Sequence, residues 1–259
     1  MLDAGEVPGG DEVAAQLPGP VEEGPELEVL VAHHAGVRCS SGSVFFGEVA
    51  DDVVPTEAID VAMLHRLAGV VDEATAAFEA FDYARVLERT EEFFWWFCDD
   101  YVELVKTRGY LSHTEEGAMS ARAALRRALS TLQRLLAPLL PFVTEEVWSW
   151  WQPGSVHQSH WPTTPELTLG LASGPNDELL DAICGAIGVI RRAKTEAKVS
   201  QRAVVTEALF VTSTDAASAI TAGWADIADA GSVEKWSIST ADTNEITVNV
   251  TLAPNIQQV

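Results

Sequence analysis

The 259-residue sequence has little positive charge, since 16 Lys and Arg residues stand against 39 Asp and Glu residues and the formal net charge is −23. An acidic surface repels phosphate, so this composition excludes generic nucleic-acid binding and gives no reason to expect DNA as a partner. Any contact with RNA is therefore expected at a local basic patch.

Cysteines and long apolar runs are also scarce. Cys39, Cys98 and Cys184 are far apart and form no CxxC pair, which argues against a disulfide framework or a structural zinc site and favours a reducing, cytoplasmic location. No uninterrupted apolar run reaches the roughly 18 residues of a membrane span, so no membrane partner is expected. Residues 1–6 lack the basic and apolar regions of a secretory signal.

The negative charge is spread unevenly over a chain that is 47% hydrophobic, a fraction sufficient for a folded core. Residues 1–55 have a net charge of −10, residues 56–199 of −8 and residues 200–259 of −5. The first segment is rich in Gly and Pro and has no helical period. It is predicted to be an acidic, irregular or flexible leader.

Hydrophobic periodicity predicts a mainly α fold. Apolar residues recur at helical spacing over residues 56–78, 82–109 and 116–136, and a short helix is expected after Pro141. We expect these elements to form a helical bundle over residues 56–152.

The remaining residues begin with a stretch at 153–175 that is rich in Pro, Gly, Ser and Thr and is predicted to be a loop. A further helix is expected at 177–199, and the period then changes to two. Strands are predicted at 204–212, 232–239 and 245–252, with a helix at 216–228. Residues 176–259 are thus predicted to be a basic helix followed by a small α/β subdomain.

Three stretches resemble a known family. They are FDYAR and FWWFCDDYVELVK within residues 81–106, LLAPLLPFVTEEVW at 135–148, and GSV with WP within 154–162. Together they resemble the anticodon-binding region of class I aminoacyl-tRNA synthetases, and that of valyl-tRNA synthetase in particular. The resemblance covers residues 56–255. It implies a class I synthetase-type anticodon-binding helical bundle followed by a small α/β C-terminal subdomain, with tRNA, of the valine type, as partner.

The sequence also departs from that family. It lacks the histidine-isoleucine-glycine-histidine and lysine-methionine-serine-lysine-serine motifs of the catalytic domain, and KVSQR at 198–202 shares only a lysine and a serine with the second. The resemblance therefore implies a tRNA-binding module that would support valyl-tRNA aminoacylation only with a synthetase catalytic domain, in cis or in trans. No cofactor or metal is expected. The alternative is an RNA-inactive remnant, or a protein-interaction adaptor built on the same bundle.

Anticodon recognition needs surfaces that stack splayed bases and cations that contact phosphates. The helix predicted at 177–199 and the residues just after it carry four cations at steps of three, four and four, which would place them on one face. Eleven residues on the predicted helices or just after them are RNA-binding candidates: Arg85, Arg89, Trp96, Lys106, Arg108, Arg122, Arg126, Arg191, Lys194, Lys198 and Arg202. The alternative is an ion-paired, solvated helix surface, or a helix C-terminus whose dipole favours cations.

Two other patterns suggest chemistry only weakly. Cys98 follows Phe93, Phe94, Trp95 and Phe97, all expected in the core, so a buried thiol is favoured over a nucleophile. His157 and His160 have no third ligand nearby in sequence, so a zinc site is not expected.

Overall fold

The computed structural model describes residues 52–110, 116–172 and 174–253, so most of the predicted leader lies outside the described residues. The end of that leader, however, belongs to the fold. Pro55 is buried, and Val54 lies so close to Gly170 that a Cβ atom there would be 3.0 Å from the valine Cγ2 atom.

The predicted helical bundle is confirmed. It consists of α1 (Ala58–Glu79), α2 (Tyr83–Trp96), α3 (Val102–Tyr110) and α4 (Glu116–Leu136), and a π-helical turn at Phe97–Tyr101 joins α2 to α3. The predicted helix at 82–109 is thus continuous but has one wide turn, a local feature that hydrophobic spacing does not reveal.

Helical spacing predicts most of the bundle core. Phe94, Cys98, Tyr101 and Val105 are all buried as expected, whereas Leu87 is 38% exposed, so its expected place on the inner face was wrong. Small, fully buried side chains allow α4 to approach its neighbours closely, and these belong to Ala121, Ala124 and Ala128.

The predicted loop at 153–175 is more ordered than expected. After α5 (Pro141–Ser149) it contains a 3₁₀ turn at Val156–Gln158 and the short helix α6 (Thr164–Thr168). Burial of Leu167 and a 2.8 Å hydrogen bond from Trp161 Nε1 to Thr75 Oγ1 hold this segment against α1. The segment was predicted to be a loop because most of its residues are polar, and only a few apolar residues hold it against the bundle.

The α/β subdomain begins after α7 (Asp177–Glu196). In chain order it contains β1 (Val205–Thr212), α8 (Thr214–Ala222), α9 (Trp224–Gly231), β2 (Trp236–Thr240) and β3 (Thr247–Leu252). The sheet order is β2-β1-β3, with β1 parallel to β2 and antiparallel to β3. The single helix predicted at 216–228 is two helices divided at Gly223, where a Cβ atom would lie 2.4 Å from Ile183 Cδ1.

One hydrophobic cluster joins the bundle to the α/β subdomain. Ile183, Ile187 and Ile190 of α7 are buried at its centre, and α7 contacts α1, α8 and β3. The helix that was predicted to begin the second domain is therefore part of the shared core.

Candidate nucleic-acid interface

The side chain of Arg108 is only 13% exposed where α3 meets α1 and α9, so the structure corrects its expected place on the outward side of the helix. Its guanidinium donates to both Asp60 oxygens at 2.8 and 2.9 Å and to both Asp226 oxygens at 3.0 Å. Tyr101 and Ser120 also donate to Asp60. Burial alone would lower the pKa of Arg108, but hydrogen bonds and attraction to both carboxylates outweigh it and raise that pKa. The residue is a structural cation linking the bundle to the subdomain.

Lys194 is also buried, with 1% of the residue exposed, and this corrects its prediction as an RNA contact. It continues the buried row of α7 through Ile183, Ile187 and Ile190 at steps of four, three and four. Its ammonium donates to the carbonyl oxygens of Gln201 at 2.9 Å and Gly231 at 2.7 Å. Burial lowers the pKa of Lys194. This lysine ties the end of α7 to the following chain rather than facing solvent.

Trp96 does not lie on the outward side of its helix as expected. The ring is half-buried, packs 5.4 Å from the Phe93 ring, and is covered by the Arg66 guanidinium at 4.7 Å. Arg66 in turn bridges Asp177 and Asp181 at 2.7 Å each. The Arg66 guanidinium therefore covers one face of the Trp96 ring, and that face is not free to stack on a base.

Three of the other candidates lie on the surface but are ion-paired. Arg89 contacts Glu73 at 3.1 Å and Glu92 at 2.9 Å, and Lys106 pairs with Glu103. Arg191 contacts Asp100 at 3.2 Å and also donates to the Asp99 carbonyl oxygen. These pairs agree with the alternative of a solvated, ion-paired helix surface. RNA contact by these three residues stays a prediction.

The two α4 candidates differ in their surroundings. Arg122 is buried and donates from Nε to the Gly109 carbonyl oxygen at 2.9 Å, which holds α3 against α4 and is a correction to its expected outward position. Arg126 is half-buried, with its guanidinium 5.9 Å from the Trp151 ring centroid. It lies beside a cavity on the outer side of α4.

Three candidates and one neighbouring arginine are exposed cations with no ion pair to a carboxylate within the described ranges: Arg85, Arg192, Lys198 and Arg202. Because α7 ends at Glu196 and Lys198 adopts a left-handed backbone with φ of 55°, the cations from Arg191 to Arg202 do not form the single helical row that was predicted. We call Arg192, Lys198 and Arg202 the late cationic turn.

Trp95 is 38% exposed, which corrects its expected place in the core, and three further aromatic rings are more exposed still. Phe81 is 78% exposed, Tyr83 is 50% exposed and Phe142 is 89% exposed. Phe81 lies in the turn between α1 and α2, where its φ of 60° is uncommon for a residue other than glycine and holds the ring away from the bundle. The rings of Phe81 and Tyr83 are 6.5 Å apart, and Tyr83 packs 5.6 Å from Phe78.

These rings share one end of the bundle. Ser120, early in α4, accepts hydrogen bonds from the backbone N–H groups of Thr56 and Glu57, just before α1. Arg134, late in α4, donates to the His160 carbonyl oxygen beside Trp161. Trp161 contacts Thr75 and Phe78, near the end of α1. The starts of α1 and α4 therefore lie at one end of the bundle and their last turns at the other. Phe81 follows the last turn of α1, and α5 begins soon after the last turn of α4, so Phe81 and Phe142 lie at the same end. We call Phe81, Tyr83 and Phe142 the aromatic end.

Comparison with known proteins decides the family. A family model described as the anticodon-binding domain of tRNA ligase matches residues 60–210, which is more than half of the chain. The chain belongs to this anticodon-binding domain family. It is 50% identical over 235 residues to a valine–tRNA ligase of Thermobifida fusca, covering 88% of this chain and 26% of the relative. It is also 46% identical over 210 residues to the valine–tRNA ligase of Salinispora tropica, covering 76% of this chain and 24% of the relative.

The chain thus spans about a quarter of the length of these curated relatives. The part that matches the anticodon-binding domain contains both the aromatic end and the late cationic turn. It also contains Cys98, a buried thiol as expected, whose pKa is raised to about 12 by burial and by the neighbouring Asp99. In the described ranges no helix is long and apolar enough to cross a membrane.

Proposed function

We propose that this chain is the tRNA anticodon-binding module of a valine–tRNA ligase and acts by binding rather than by bond-making. The family match over residues 60–210 carries this proposal, and the identity to valine–tRNA ligases supports valine tRNA as the ligand. Valyl-tRNA aminoacylation would need a synthetase catalytic domain, in cis or in trans.

The aromatic end is the surface best suited to the anticodon bases. Unpaired RNA bases stack on aromatic side chains, and each base–aromatic stack is worth about 1–3 kcal/mol. The ring of Phe81 is mostly exposed at the turn, and Tyr83 is braced by Phe78 below it. Arg85 lies two residues beyond Tyr83, where an exposed guanidinium can contact a phosphate or stack on a base.

The late cationic turn is suited to the RNA backbone. Arg191, the neighbour of Arg192, contacts Asp100 in the π-helical turn between α2 and α3. Asp100 lies 17 residues after Tyr83 along this continuous helix. The late cationic turn and the aromatic end are therefore separated by about 25 Å along the helix axis. Arg192, Lys198 and Arg202 can neutralise phosphates at that distance. Such contacts position the RNA and carry no sequence information.

Separate variants test the two surfaces. Fluorescence anisotropy would measure the affinity of the full chain for valine tRNA and for the same tRNA with an altered anticodon. Phe81→Ala is expected to weaken binding of the first RNA by roughly fivefold to 100-fold, because one stack is lost. Leu169→Ala removes an exposed apolar side chain next to the Gly170–Val54 contact and is the matched control, expected to be unchanged.

Arg192→Gln with Lys198→Gln should instead weaken binding of both tRNAs equally. The slope of log affinity against log salt should also become less steep, by about 0.7–0.9 for each phosphate that is no longer neutralised. If Phe81→Ala and Leu169→Ala bind alike, the aromatic end does not contact the bases. Absence of all tRNA binding at low salt in the wild-type chain would favour an RNA-inactive remnant or adaptor.

A further inference from the structure

His157 lies beside the aromatic end, and the proposed stacking of bases makes no use of it. Its Nε2 atom is 3.0 Å from the carbonyl oxygen of Pro141. That carbonyl is covalently bonded to the nitrogen of Phe142, so the imidazole lies next to the backbone of the residue that is 89% exposed. The side chain of His157 is itself 41% exposed. An accessible imidazole therefore borders the surface on which an unpaired base would stack.

The chain that carries His157 is fixed by apolar packing. His157 belongs to the 3₁₀ turn at Val156–Gln158. Val156 is buried in a small apolar cluster with Ala137 and Trp148, which joins this turn to the end of α4 and to α5. The turn is therefore part of the folded bundle and does not depend on RNA for its position.

Hydrogen bonds from α5 fix the same turn. The Oε2 atom of Glu145 accepts from Ser155 Oγ at 2.8 Å and from the backbone N–H of Val156 at 3.0 Å. Ser155 Oγ also accepts from the backbone N–H of His157 at 3.2 Å. With the bond to Pro141, these contacts hold the imidazole in one orientation. A group that is pre-organised in this way loses little conformational entropy when a ligand binds.

The bond to Pro141 decides which nitrogen of His157 can meet a ligand. A carbonyl oxygen only accepts hydrogen bonds, so Nε2 is the nitrogen that carries the proton. In the neutral imidazole Nδ1 then has a lone pair and acts as an acceptor. Nδ1 makes no hydrogen bond within the ranges that the structure describes. His157 therefore presents one fixed acceptor beside Phe142.

The charge around His157 favours a base over a phosphate as its ligand. The carboxylate of Glu145 is 4.0 Å from Nε2, and Glu146 is the next residue of α5. Carboxylates repel a phosphate, whereas the edge of an unpaired base is uncharged and is read through its donors and acceptors. An acceptor is complementary to an exocyclic amino group, which adenine carries at N6 and cytosine carries at N4.

We propose that His157 is a specificity-determining residue of the aromatic end, and that its Nδ1 atom accepts a hydrogen bond from the amino group of an adenine or cytosine stacked at Phe142. This inference rests on the proposed function, since it needs the anticodon loop at the aromatic end. A base with a carbonyl in place of the amino group turns an acceptor towards an acceptor and is rejected. His157 thus adds sequence readout to rings that stack on any base.

The test first removes the amino group from the RNA. Fluorescence anisotropy with the full chain compares valine tRNA with transcripts that carry purine riboside at one anticodon-loop adenosine, or 2-pyrimidinone riboside at one anticodon-loop cytidine. One of these analogues is expected to bind the wild type roughly threefold to tenfold more weakly, because one hydrogen bond is lost. The position that responds shows whether adenine or cytosine is read.

The test then changes the acceptor on the protein. His157→Gln can keep the donor to Pro141, because its amide nitrogen takes the place of Nε2, but it has no acceptor in the place of Nδ1. It should bind valine tRNA and the responding analogue with equal affinity. His157→Asn puts its amide oxygen near the place of Nδ1 and should restore part of the difference between the two RNAs. His160→Gln changes an exposed histidine of the same segment and should behave as the wild type.

The variants also separate base readout from a purely structural role. If His157 only holds its turn against α5, His157→Asn, which loses the bond to Pro141, binds valine tRNA more weakly than His157→Gln, and every variant keeps the wild-type response to the analogues. That result, or a wild type that binds all analogues as it binds valine tRNA, overturns the inference and leaves the proposed function standing. A wild type that binds no tRNA at low salt overturns both.

Discussion

Arg108→Leu would remove the guanidinium that joins the bundle to the α/β subdomain. Asp60 is fully buried, and it would keep only the hydrogen bonds from Tyr101 at 2.8 Å and Ser120 at 2.6 Å. Asp226, 8% exposed, would lose both of its 3.0 Å bonds to Arg108. The variant therefore leaves two buried carboxylates without their common cation.

The expected loss in the free energy of unfolding depends on whether the two carboxylates stay charged without Arg108 or become protonated. Removing one partner of a buried ion pair typically costs about 3–5 kcal/mol. Protonation limits the penalty, because protonating an aspartate with a pKa near 3.9 at pH 7 costs about 4 kcal/mol. We expect Arg108→Leu to lower the free energy of unfolding by about 4 kcal/mol, which corresponds to roughly 8–16 °C in Tm for a chain of this size.

Urea unfolding followed by tryptophan fluorescence and circular dichroism measures this loss. Arg192→Leu is the matched control and should stay within about 0.5 kcal/mol of the wild type, since that arginine is exposed. Adding Asp60→Asn and Asp226→Asn to Arg108→Leu should recover at least about 2 kcal/mol, because the uncompensated charges are removed. A loss below about 1 kcal/mol for Arg108→Leu would refute the reasoning.

The remaining predictions concern two glycines and one titrating group. Gly223→Ala should lower the free energy of unfolding by about 1–3 kcal/mol, because its Cβ atom would lie 2.4 Å from Ile183 Cδ1. A Cβ atom at Gly188, on the exposed side of α7, would meet no atom within 4 Å. Gly188→Ala should therefore raise the free energy of unfolding by about 0.5–1 kcal/mol. The same urea series measures both, and equal effects would contradict the packing at Gly223. Burial raises the pKa of Asp226 although Arg108 opposes the shift, so the folded chain holds this proton more tightly than the unfolded chain. The stabilisation that comes from protonated Asp226 is complete below the pKa of this group in the unfolded chain, near 4, and is lost as pH rises through its pKa in the folded chain. The free energy of unfolding of the wild type, relative to that of Asp226→Asn, should therefore decrease from about pH 4 to about pH 7. A difference that stays constant over this range would contradict the raised pKa.

Much of the fold was predictable because it depends on local pattern. The helix predicted at 116–136 has the same bounds in the structure, since an amphipathic stripe runs through it and Pro138 follows it. The three predicted strands, and the helix predicted at 177–199, were also found, with shifts at their ends. Gly223 was missed as a helix boundary, because the break depends on close approach to Ile183 on a distant element.

The site was less predictable, because spacing places residues on a shared face without telling which face is buried. Lys194 continues the apolar row of α7, and Arg108 follows Tyr101 and Val105 at steps of four and three, so each lies on the inner face of its helix. These rows were visible in the sequence, but the charge of the side chains favoured an outward position. The aromatic end was missed for another reason. Phe81 and Phe142 lie in or next to turns, where periodicity carries no information.

Recognition of a tRNA anticodon is the central proposal for this chain. Its most direct test is the ratio of two dissociation constants, for valine tRNA and for the same transcript with only its anticodon replaced, measured with the full chain at one salt concentration. We expect at least about tenfold tighter binding of the natural transcript, since each hydrogen-bonded contact with a base edge is worth on the order of 1–3 kcal/mol of discrimination against the wrong base. Equal dissociation constants for the two transcripts would contradict it.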